Sequence, residues 1–183
     1  MTTAPATIRP SDAEAGATVF IGLGANLGDA RATLRDALTA LRALSAPGSF
    51  QASSLYRSAP VDSSGPDYVN AVARLRTALA PHALLDALQA IEQRFGRERP
   101  YRNAPRTLDL DILLFGVDGD AGGLALSDGR LTVPHPRAAQ RSFVLEPLAE
   151  LWPHGEIPGE GRVADRLAAA RRDPAQRVER LES

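Results

Sequence analysis

The stretch "PRTLDLDILLFG", residues 105–116, combines the pattern of a buried strand with two carboxylates. Asp109 and Asp111 are separated by one residue, and they alternate with aliphatic side chains at Leu108, Leu110 and Ile112. Because successive side chains of a strand point to opposite faces, the pattern predicts one face against the core and a second face that carries both aspartates. Their Cα atoms are then roughly 6.5 Å apart, so the carboxylates can converge on one cation or on a pair of cations.

A basic segment precedes this strand. Residues 97–106 contain the arginines Arg97, Arg99, Arg102 and Arg106. Adjacent carboxylates cost free energy unless a cation compensates them, and arginine together with Mg²⁺ binds polyphosphate. The combination therefore indicates a magnesium–nucleotide site. Two other interpretations stay open at this point, a solvent-exposed strand face and aspartate–arginine ion pairs.

The composition limits the class of protein. The chain has 183 residues, which suits one compact domain, and its 44% apolar and 23% charged residues are ordinary for a globular protein. The net charge of -1 does not indicate binding to nucleic acid or to a membrane. The absence of cysteine excludes disulfides and thiolate chemistry. All 21 basic residues are arginine, which excludes a Schiff-base lysine and a P-loop lysine.

Hydrophobic periodicity predicts the order of the elements. Strands are predicted at residues 18–24, 50–58, 68–76 and within 105–116, and helices begin near Asp29 and Pro81. The order β-α-β-β-α-β predicts an α+β protein with a ferredoxin-like core, in which helices flank an antiparallel sheet. A last amphipathic helix at residues 163–171 is expected to pack outside the core.

The ends of the chain carry little pattern. Residues 1–16 are polar and aperiodic, which predicts a disordered tail before a single domain at residues 17–183. The tail has no apolar region typical of a secretory signal, and no stretch reaches transmembrane length. A cytoplasmic location is therefore expected.

Three further motifs are open to more than one interpretation. The glycines of "GLGANLG", residues 22–28, do not have the spacing of a dinucleotide-binding loop and predict a tight strand-to-helix turn. Tyr68 and Asn70 share a strand face, either as an exposed cross-strand pair or as a slot for a flat, hydrogen-bonding heterocycle. His135, between two prolines, fits a structural role, a phosphate contact or acid–base chemistry.

Six strings occur in one order between residues 18 and 153: "FIGLGANLGD", "SSLYRSAPV", "PDYVNA", "PRTLDLDILLFG", "RLTVPHP" and "RSFVLEPLAEL". Together they closely resemble the 6-hydroxymethyl-7,8-dihydropterin pyrophosphokinase family of folate biosynthesis. The resemblance implies a ferredoxin-like core and the transfer of pyrophosphate from ATP to the pterin hydroxymethyl group, with two Mg²⁺ ions and release of AMP. In one departure, Ala104 stands where the family usually has glycine.

The resemblance also implies roles for individual residues. Asp109 and Asp111 match the ligands of both Mg²⁺ ions, and Arg97 and Arg106 match catalytic-loop arginines. Asn70 matches the residue that reads the pterin edge. The pterin is further expected to be sandwiched by two rings and held by main chain, at Tyr68, Phe143, Ser58, Ala59 and Val61. ATP is expected to contact Arg99, Arg106, Ile112, Arg130, His135 and Arg141, with supporting roles for Gln89 and Glu92.

Two other classes of function have the same fold or a similar aspartate pair. An RNA-binding module needs exposed aromatics and a basic surface, which 5% aromatic residues and a net charge of -1 disfavour. A nucleotidyltransferase with two aspartates on a strand releases pyrophosphate instead of AMP. The expected partners are therefore ATP and the pterin, with no nucleic acid, no membrane and a monomeric chain.

Overall fold

The computed structural model describes residues 16–61, 64–96 and 107–182. Its strands are β1 (Ala17–Ala25), β2 (Gln51–Ala52), β3 (Tyr56–Ser58), β4 (Tyr68–Thr77), β5 (Asp109–Phe115), β6 (Leu126–Ser127), β7 (Thr132–Val133), β8 (Glu156–Ile157), β9 (Gly161–Arg162) and β10 (Val178–Arg180). Its helices are α1 (Ala30–Arg42), α2 (Pro81–Arg94), α3 (Ser142–Leu151) and α4 (Val163–Ala170), with 3₁₀ turns at Ala138–Gln140 and Pro174–Gln176. Within the described ranges, no helix has the length and apolar character needed to cross a bilayer.

The central sheet is antiparallel and has the order β10–β3–β4–β1–β5, with β2 also paired to β4. Strand β1 lies between β4 and β5, and it pairs with β4 from Ala17 opposite Thr77 to Ala25 opposite Val69. On its other side β1 pairs with β5. With α1 and α2 connecting these strands, the sheet has the ferredoxin-like arrangement that the element order predicts, and that prediction is confirmed.

The strand predicted at residues 50–58 is interrupted. β2 and β3 both pair with β4, but their registers differ by one residue between Ala52 and Tyr56. Ser53 lies in this gap, where its N–H donates to the Val72 carbonyl at 2.9 Å and its hydroxyl accepts from Val72 N–H at 2.9 Å. The hydroxyl replaces a main-chain acceptor, so the ladder continues past the bulge.

One face of the sheet packs against α1 and α2. The N-cap of α1 is Asp29, as predicted, and its Oδ1 accepts a hydrogen bond from Ala32 N–H at 3.0 Å. The two helices bury an aliphatic stripe against the strands, formed by Leu34, Ala37, Leu41, Leu84, Leu88 and Ile91. Leu110 and Ile112 of β5 lie in the same core, which confirms the predicted apolar face of the aspartate strand.

The opposite face of the sheet is partly covered by α3 and α4. A second core joins Phe20 of β1 and Val72 of β4 to Trp152 and to aliphatic residues of both helices: Val144, Leu145, Leu148, Val163, Leu167 and Ala170. The expectation that the last helix packs outside the core is therefore wrong. Its periodic apolar residues signalled a buried stripe, but the sequence pattern did not indicate which surface would cover them.

A carboxylate ties α3 to β3 and to Ser54, shortly before that strand. Glu150 accepts hydrogen bonds from the Tyr56 hydroxyl at 2.7 Å and from Ser54 N–H at 3.0 Å. Burial of Tyr56, followed by its hydrogen bond to Glu150, raises the pKa of the phenol above its ordinary value. Tyr56 therefore keeps its proton and remains the donor in this bond across the physiological pH range.

We expect Gly155→Ala to lower the free energy of unfolding by about 3 kcal/mol, because the site has no room for a side chain. A Cβ at Gly155 would lie 2.0 Å from the Trp152 ring, whose centroid is 5.1 Å from that of Phe20. Gly129→Ala is the matched control, since a Cβ there meets nothing within 4 Å. Urea unfolding followed by circular dichroism measures both variants, and equal stabilities would contradict this account of the second core.

Candidate functional site

A cleft of about 160 Å³ opens on the face of the sheet that also carries α3. Residues of β1, β4 and β5 form its floor. Its walls come from the end of β3, from the segment around His135 and from the start of α3. The cleft is therefore assembled from six separate parts of the chain.

Gly22 and Gly24 of β1 keep the floor of the cleft open. Gly24 lies in register between Asn70 of β4 and Asp109 of β5. A Cβ at Gly24 would lie 3.4 Å from Asn70 Oδ1, so any larger residue would take up space in the cleft. The sequence predicts only a tight turn for this glycine run. In the structure the turn before α1 uses Gly28, whose φ is 60°, whereas the first two glycines belong to the strand.

Asp109 and Asp111 both face the cleft from β5, as the alternation predicts. They pair with Gly24 and Gly22 of β1, so each carboxylate stands beside a strand position that has no side chain. The side chain of Asp111 is 46% exposed, which keeps its carboxylate in contact with solvent. The pair therefore lines a concave site and does not belong to a flat, exposed strand face.

Asn70 and Ser58 form a buried polar pair on the other side of the glycines. Asn70 is 4% exposed, and its Nδ2 donates to Ser58 Oγ at 2.8 Å. This bond orients the amide so that Oδ1 lies above Gly24 at the floor of the cleft. Tyr68 lines the same cleft from β4. A fixed amide beside an aromatic ring favours the heterocycle slot over an exposed cross-strand pair.

His135 lies against the aspartate strand. Its N–H donates to the Leu113 carbonyl at 2.9 Å, and its Nδ1 accepts from Arg137 N–H at 3.2 Å. Burial, followed by the positive charge of Arg141, lowers the pKa of His135 below its ordinary value and favours the neutral imidazole. With Nδ1 as an acceptor, the neutral ring carries its proton on Nε2, which is 4.0 Å from Asp111 Oδ2.

The start of α3 provides a cation and a ring to the cleft. Arg141 is the N-cap residue of the helix, and Phe143 is in its first turn. The Arg141 Cζ atom lies 5.4 Å from the centroid of the Phe143 ring, which is within cation–π range. Because Tyr68 lines the cleft from the sheet, aromatic side chains are present on both the floor side and the helix side.

Glu92 supports the strand that carries the aspartates. It lies on α2, is 1% exposed, and its Oε1 accepts a hydrogen bond from Leu110 N–H at 2.8 Å. Leu110 lies between the two aspartates, and β5 is the last strand of the sheet. The buried carboxylate therefore provides an acceptor on the side of β5 that pairs with no other strand within the described residues. This contact supports the aspartate strand, and a supporting role of Glu92 toward ATP stays a prediction.

The cleft brings together most of the predicted site residues that the structure describes: Ser58, Ala59, Val61, Tyr68, Asn70, Asp109, Asp111, His135, Arg141 and Phe143. Arg97, Arg99 and Arg106 lie outside the described residues. Sequence reasoning missed the floor and wall residues Gly22, Gly24, Leu113 and Val144. The spacing of Gly22 and Gly24, two apart on a strand, was the one signal that could have identified the floor.

Three predicted ATP contacts are not part of this cleft. Gln89 is exposed on α2, and Arg130 forms an exposed ion pair with Asp86 of the same helix. The Ile112 side chain is 3% exposed and lies in the core against α1 and α2. Any contact of Ile112 with ATP is therefore left to its main-chain atoms, because alternation turns its side chain away from the aspartates.

The fold and the site define an enzyme class in which a ferredoxin-like sheet carries a carboxylate pair, a buried amide and aromatic rings in one cleft. The sequence model of the family described as 7,8-dihydro-6-hydroxymethylpterin-pyrophosphokinase (HPPK) matches residues 20–153. The chain therefore belongs to this family and is a pyrophosphokinase that acts on hydroxymethyldihydropterin in folate biosynthesis.

Relatives of the chain agree with this assignment. The 2-amino-4-hydroxy-6-hydroxymethyldihydropteridine pyrophosphokinase of Pseudomonas aeruginosa is 44% identical over 164 residues, which cover 89% of this chain and 96% of that protein. The protein of the same name from Haemophilus influenzae is 44% identical over 135 residues, which cover 73% of this chain and 81% of that protein.

A solved structure has the same fold. Plasmodium falciparum HPPK-DHPS superposes with a TM-score of 0.63 at 13% identity over 84% of this chain. The chain spans 44% of that larger protein. At this level of identity the similarity supports the fold alone.

We expect Glu92→Leu to accelerate hydrogen exchange of the Leu110 amide by about tenfold, because the variant removes its acceptor. Glu92→Gln, which keeps a carbonyl oxygen in the same place, should change the exchange rate much less. The Ile21 amide of β1, a strand paired on both sides, serves as the internal control. Equal protection of Leu110 in the wild-type protein and in Glu92→Leu would show that this contact does not hold the strand.

Proposed function

We propose that the cleft binds 6-hydroxymethyl-7,8-dihydropterin at Asn70 and the phosphates of ATP at Asp109 and Asp111. The enzyme transfers pyrophosphate from ATP to the pterin hydroxyl and releases AMP. The observation that carries the proposal is the row that Asn70, Gly24 and Asp109 form across three neighbouring strands. In this row the polar slot at Asn70 and the carboxylate of Asp109 lie on either side of Gly24. Two substrates bound there lie side by side, which favours direct transfer.

The residues around Asn70 fit a pterin. A pterin is flat and carries hydrogen-bond donors and acceptors along one edge, and the Asn70 amide provides one acceptor and one donor group. Its orientation is fixed by the bond to Ser58, which reduces the entropy lost on binding. Tyr68 and Phe143 line the slot and can stack on the two faces of the ring. Ala59 and Val61 complete the wall after β3.

The carboxylate pair fits Mg²⁺, and we propose two ions. Within the described ranges, no group of three or more histidine, aspartate or glutamate side chains is arranged as a metal cage. Mg²⁺ is usually held by one or two carboxylates together with water and substrate phosphates, which is the donor set that Asp109 and Asp111 offer. When bound, Mg²⁺ neutralises polyphosphate charge and stabilises the charge that develops on the leaving group.

The protein provides cationic and polar groups for the phosphates. Arg141 and His135 line the cleft beside the aspartates. The neutral His135 can donate a hydrogen bond from Nε2 to a phosphate oxygen while its Nδ1 stays occupied by Arg137 N–H. Because the chain contains no lysine, the remaining cationic contacts must come from arginines. By resemblance we assign these contacts to Arg97, Arg99, Arg106 and Arg130, with Gln89 in support.

We also propose that the enzyme works as a monomer in the cytoplasm and does not bind nucleic acid. One chain supplies all the cleft residues described above, so no second copy is needed to complete this site. A net charge of -1 gives no general attraction to a polyanion. The use of ATP as a co-substrate suits a cytoplasmic location.

The reaction is tested by incubating the protein with ATP, Mg²⁺ and hydroxymethyldihydropterin and separating the nucleotides by chromatography. AMP together with the pterin diphosphate is the expected result. Stoichiometric ADP would identify a simple kinase. Free pyrophosphate with an adenylylated product would identify a nucleotidyltransferase, and either result would overturn the proposal.

We expect Asp109→Asn and Asp111→Asn each to lower kcat by about 10²–10³-fold, because a neutral amide is a poor Mg²⁺ ligand. Isothermal titration with MgATP should show weaker binding, while circular dichroism should show an intact fold. Asp36→Asn is the matched control, since Asp36 is exposed on α1, away from the cleft. Full Mg²⁺-dependent activity in both cleft variants would exclude these residues as metal ligands.

We expect Asn70→Ala to raise KM for the pterin by about tenfold to a hundredfold and to leave KM for ATP nearly unchanged, since a lost buried hydrogen bond costs about 1–3 kcal/mol. Ser58→Ala, which removes the hydrogen-bond partner of the amide, should raise KM for the pterin by a smaller factor. Gln51→Ala, at an exposed position of β2, is the control. Equal losses for both substrates in Asn70→Ala would argue against a dedicated pterin slot.

A further inference from the structure

The C-terminal segment, residues 174–180, packs next to the walls of the cleft. In the sequence it follows the part of the chain that the family model matches. That match ends at residue 153, whereas the segment forms the 3₁₀ turn Pro174–Gln176 and strand β10. Both parts contact elements that carry cleft residues. The segment therefore has the position to act on the site, although it does not itself line the cleft.

The first contact is made by β10 with β3. Val178 pairs with Ser58, and Arg180 pairs with Tyr56. β3 has three residues and lies between β4 and β10, so β10 removes it from the sheet edge. Ser58 in turn accepts the hydrogen bond that orients Asn70. The C-terminal strand thus supports the wall that holds the amide.

The second contact joins Gln176 to the start of α3. Gln176 Oε1 accepts a hydrogen bond from Ser142 N–H at 3.0 Å, across a separation of 34 residues. Ser142 is the first residue of the helix, and the N-cap residue Arg141 provides no side-chain cap. The glutamine therefore provides an acceptor for one of the helix N–H groups that lack partners within the helix.

This bond lies between two residues of the cleft. Arg141 precedes Ser142 and Phe143 follows it, and both line the cleft. Ser142 is buried, and within the described residues its hydroxyl has no hydrogen-bond partner. Its main-chain bond to Gln176 is thus the polar contact that ties this point of the chain to the C-terminal segment. Moving Ser142 would move the Phe143 ring.

We infer that Gln176 is a positioning residue for the pterin, acting through Ser142 to hold the Phe143 ring against the slot. The inference rests on the proposed function, because it takes the slot between Tyr68 and Phe143 as the pterin site. It adds a residue beyond the family match to the machinery of the reaction. The physical basis is that a stacking ring binds best when its position is fixed before the ligand arrives.

The test compares Gln176→Leu, which removes the acceptor, with Gln176→Glu, which keeps an acceptor at the same length. Gln176→Leu should weaken direct binding of the pterin, measured by titration calorimetry, by about three- to tenfold. Gln176→Glu should bind the pterin nearly as well as the wild-type protein. Gln51→Leu, at an exposed glutamine of β2, is the control for a general effect of the substitution.

A double-mutant cycle with Phe143→Ala separates positioning from general stabilisation. If Gln176 acts through the ring, Gln176→Leu should change pterin binding less than twofold in the Phe143→Ala background. Additive losses in the double mutant would overturn the inference, as would unchanged binding in Gln176→Leu. Circular dichroism at the assay temperature establishes that each variant is folded before its binding is compared.

The same experiment separates this inference from the proposed function. If Asn70→Ala and Phe143→Ala both bind the pterin as tightly as the wild-type protein, the slot is not the pterin site. The inference about Gln176 is then rejected as well. If these two variants lose binding while Gln176→Leu does not, the slot stands and only the role of Gln176 is rejected.

Discussion

The pairing of β1 with β4 on one side and β5 on the other determines the geometry of the open face. Because both ladders have a fixed register, Asn70, Gly24 and Asp109 form one row across three strands. Neighbouring strands lie about 4.8 Å apart, so the Cα atoms at the two ends of the row are roughly 10 Å apart. In the arrangement that we propose, this spacing would separate a heterocycle at Asn70 from a charged polyphosphate at Asp109. Main-chain hydrogen bonds between the strands therefore set the distance between the two ends of the proposed site.

The two faces of β5 differ in their surroundings, because one packs in the core and the other lines the cleft. Leu110 and Ile112 pack into the core against α1 and α2, and this burial stabilises the strand. The other face holds the two carboxylates that line the cleft. Glu92 adds a third carboxylate behind the strand, where it accepts the Leu110 N–H. The aliphatic face and this hydrogen bond together hold β5 in place, with both aspartates facing the cleft.

Sequence patterns predicted the parts of the fold that depend on local periodicity. The alternation in β4 and β5, the Asp29 cap and the helix beginning at Pro81 all reflect rules that act within a few residues. The break at Ser53 was missed because a hydroxyl takes the place of a main-chain acceptor, which no hydrophobic pattern reveals. The pairing of β10 with β3, and of Gln176 with Ser142, joins segments that are distant in sequence. At the site, the aspartate pair and Asn70 could be predicted because they are polar residues within strand patterns. The floor of the cleft could not, because its glycines have the sequence pattern of a turn.

The buried position of Trp152 also has a spectroscopic consequence. It is the only tryptophan of the chain, its Nε1 donates to the Gly119 carbonyl at 2.9 Å, and it directly follows the end of α3. Phe143 lies at the opposite end of that helix, roughly 13 Å away along the axis. Intrinsic fluorescence of the protein therefore comes from an indole held in the second core and separated from the cleft. Its emission reports the packing of α3 on the sheet, and it therefore offers a probe of folding at the second core.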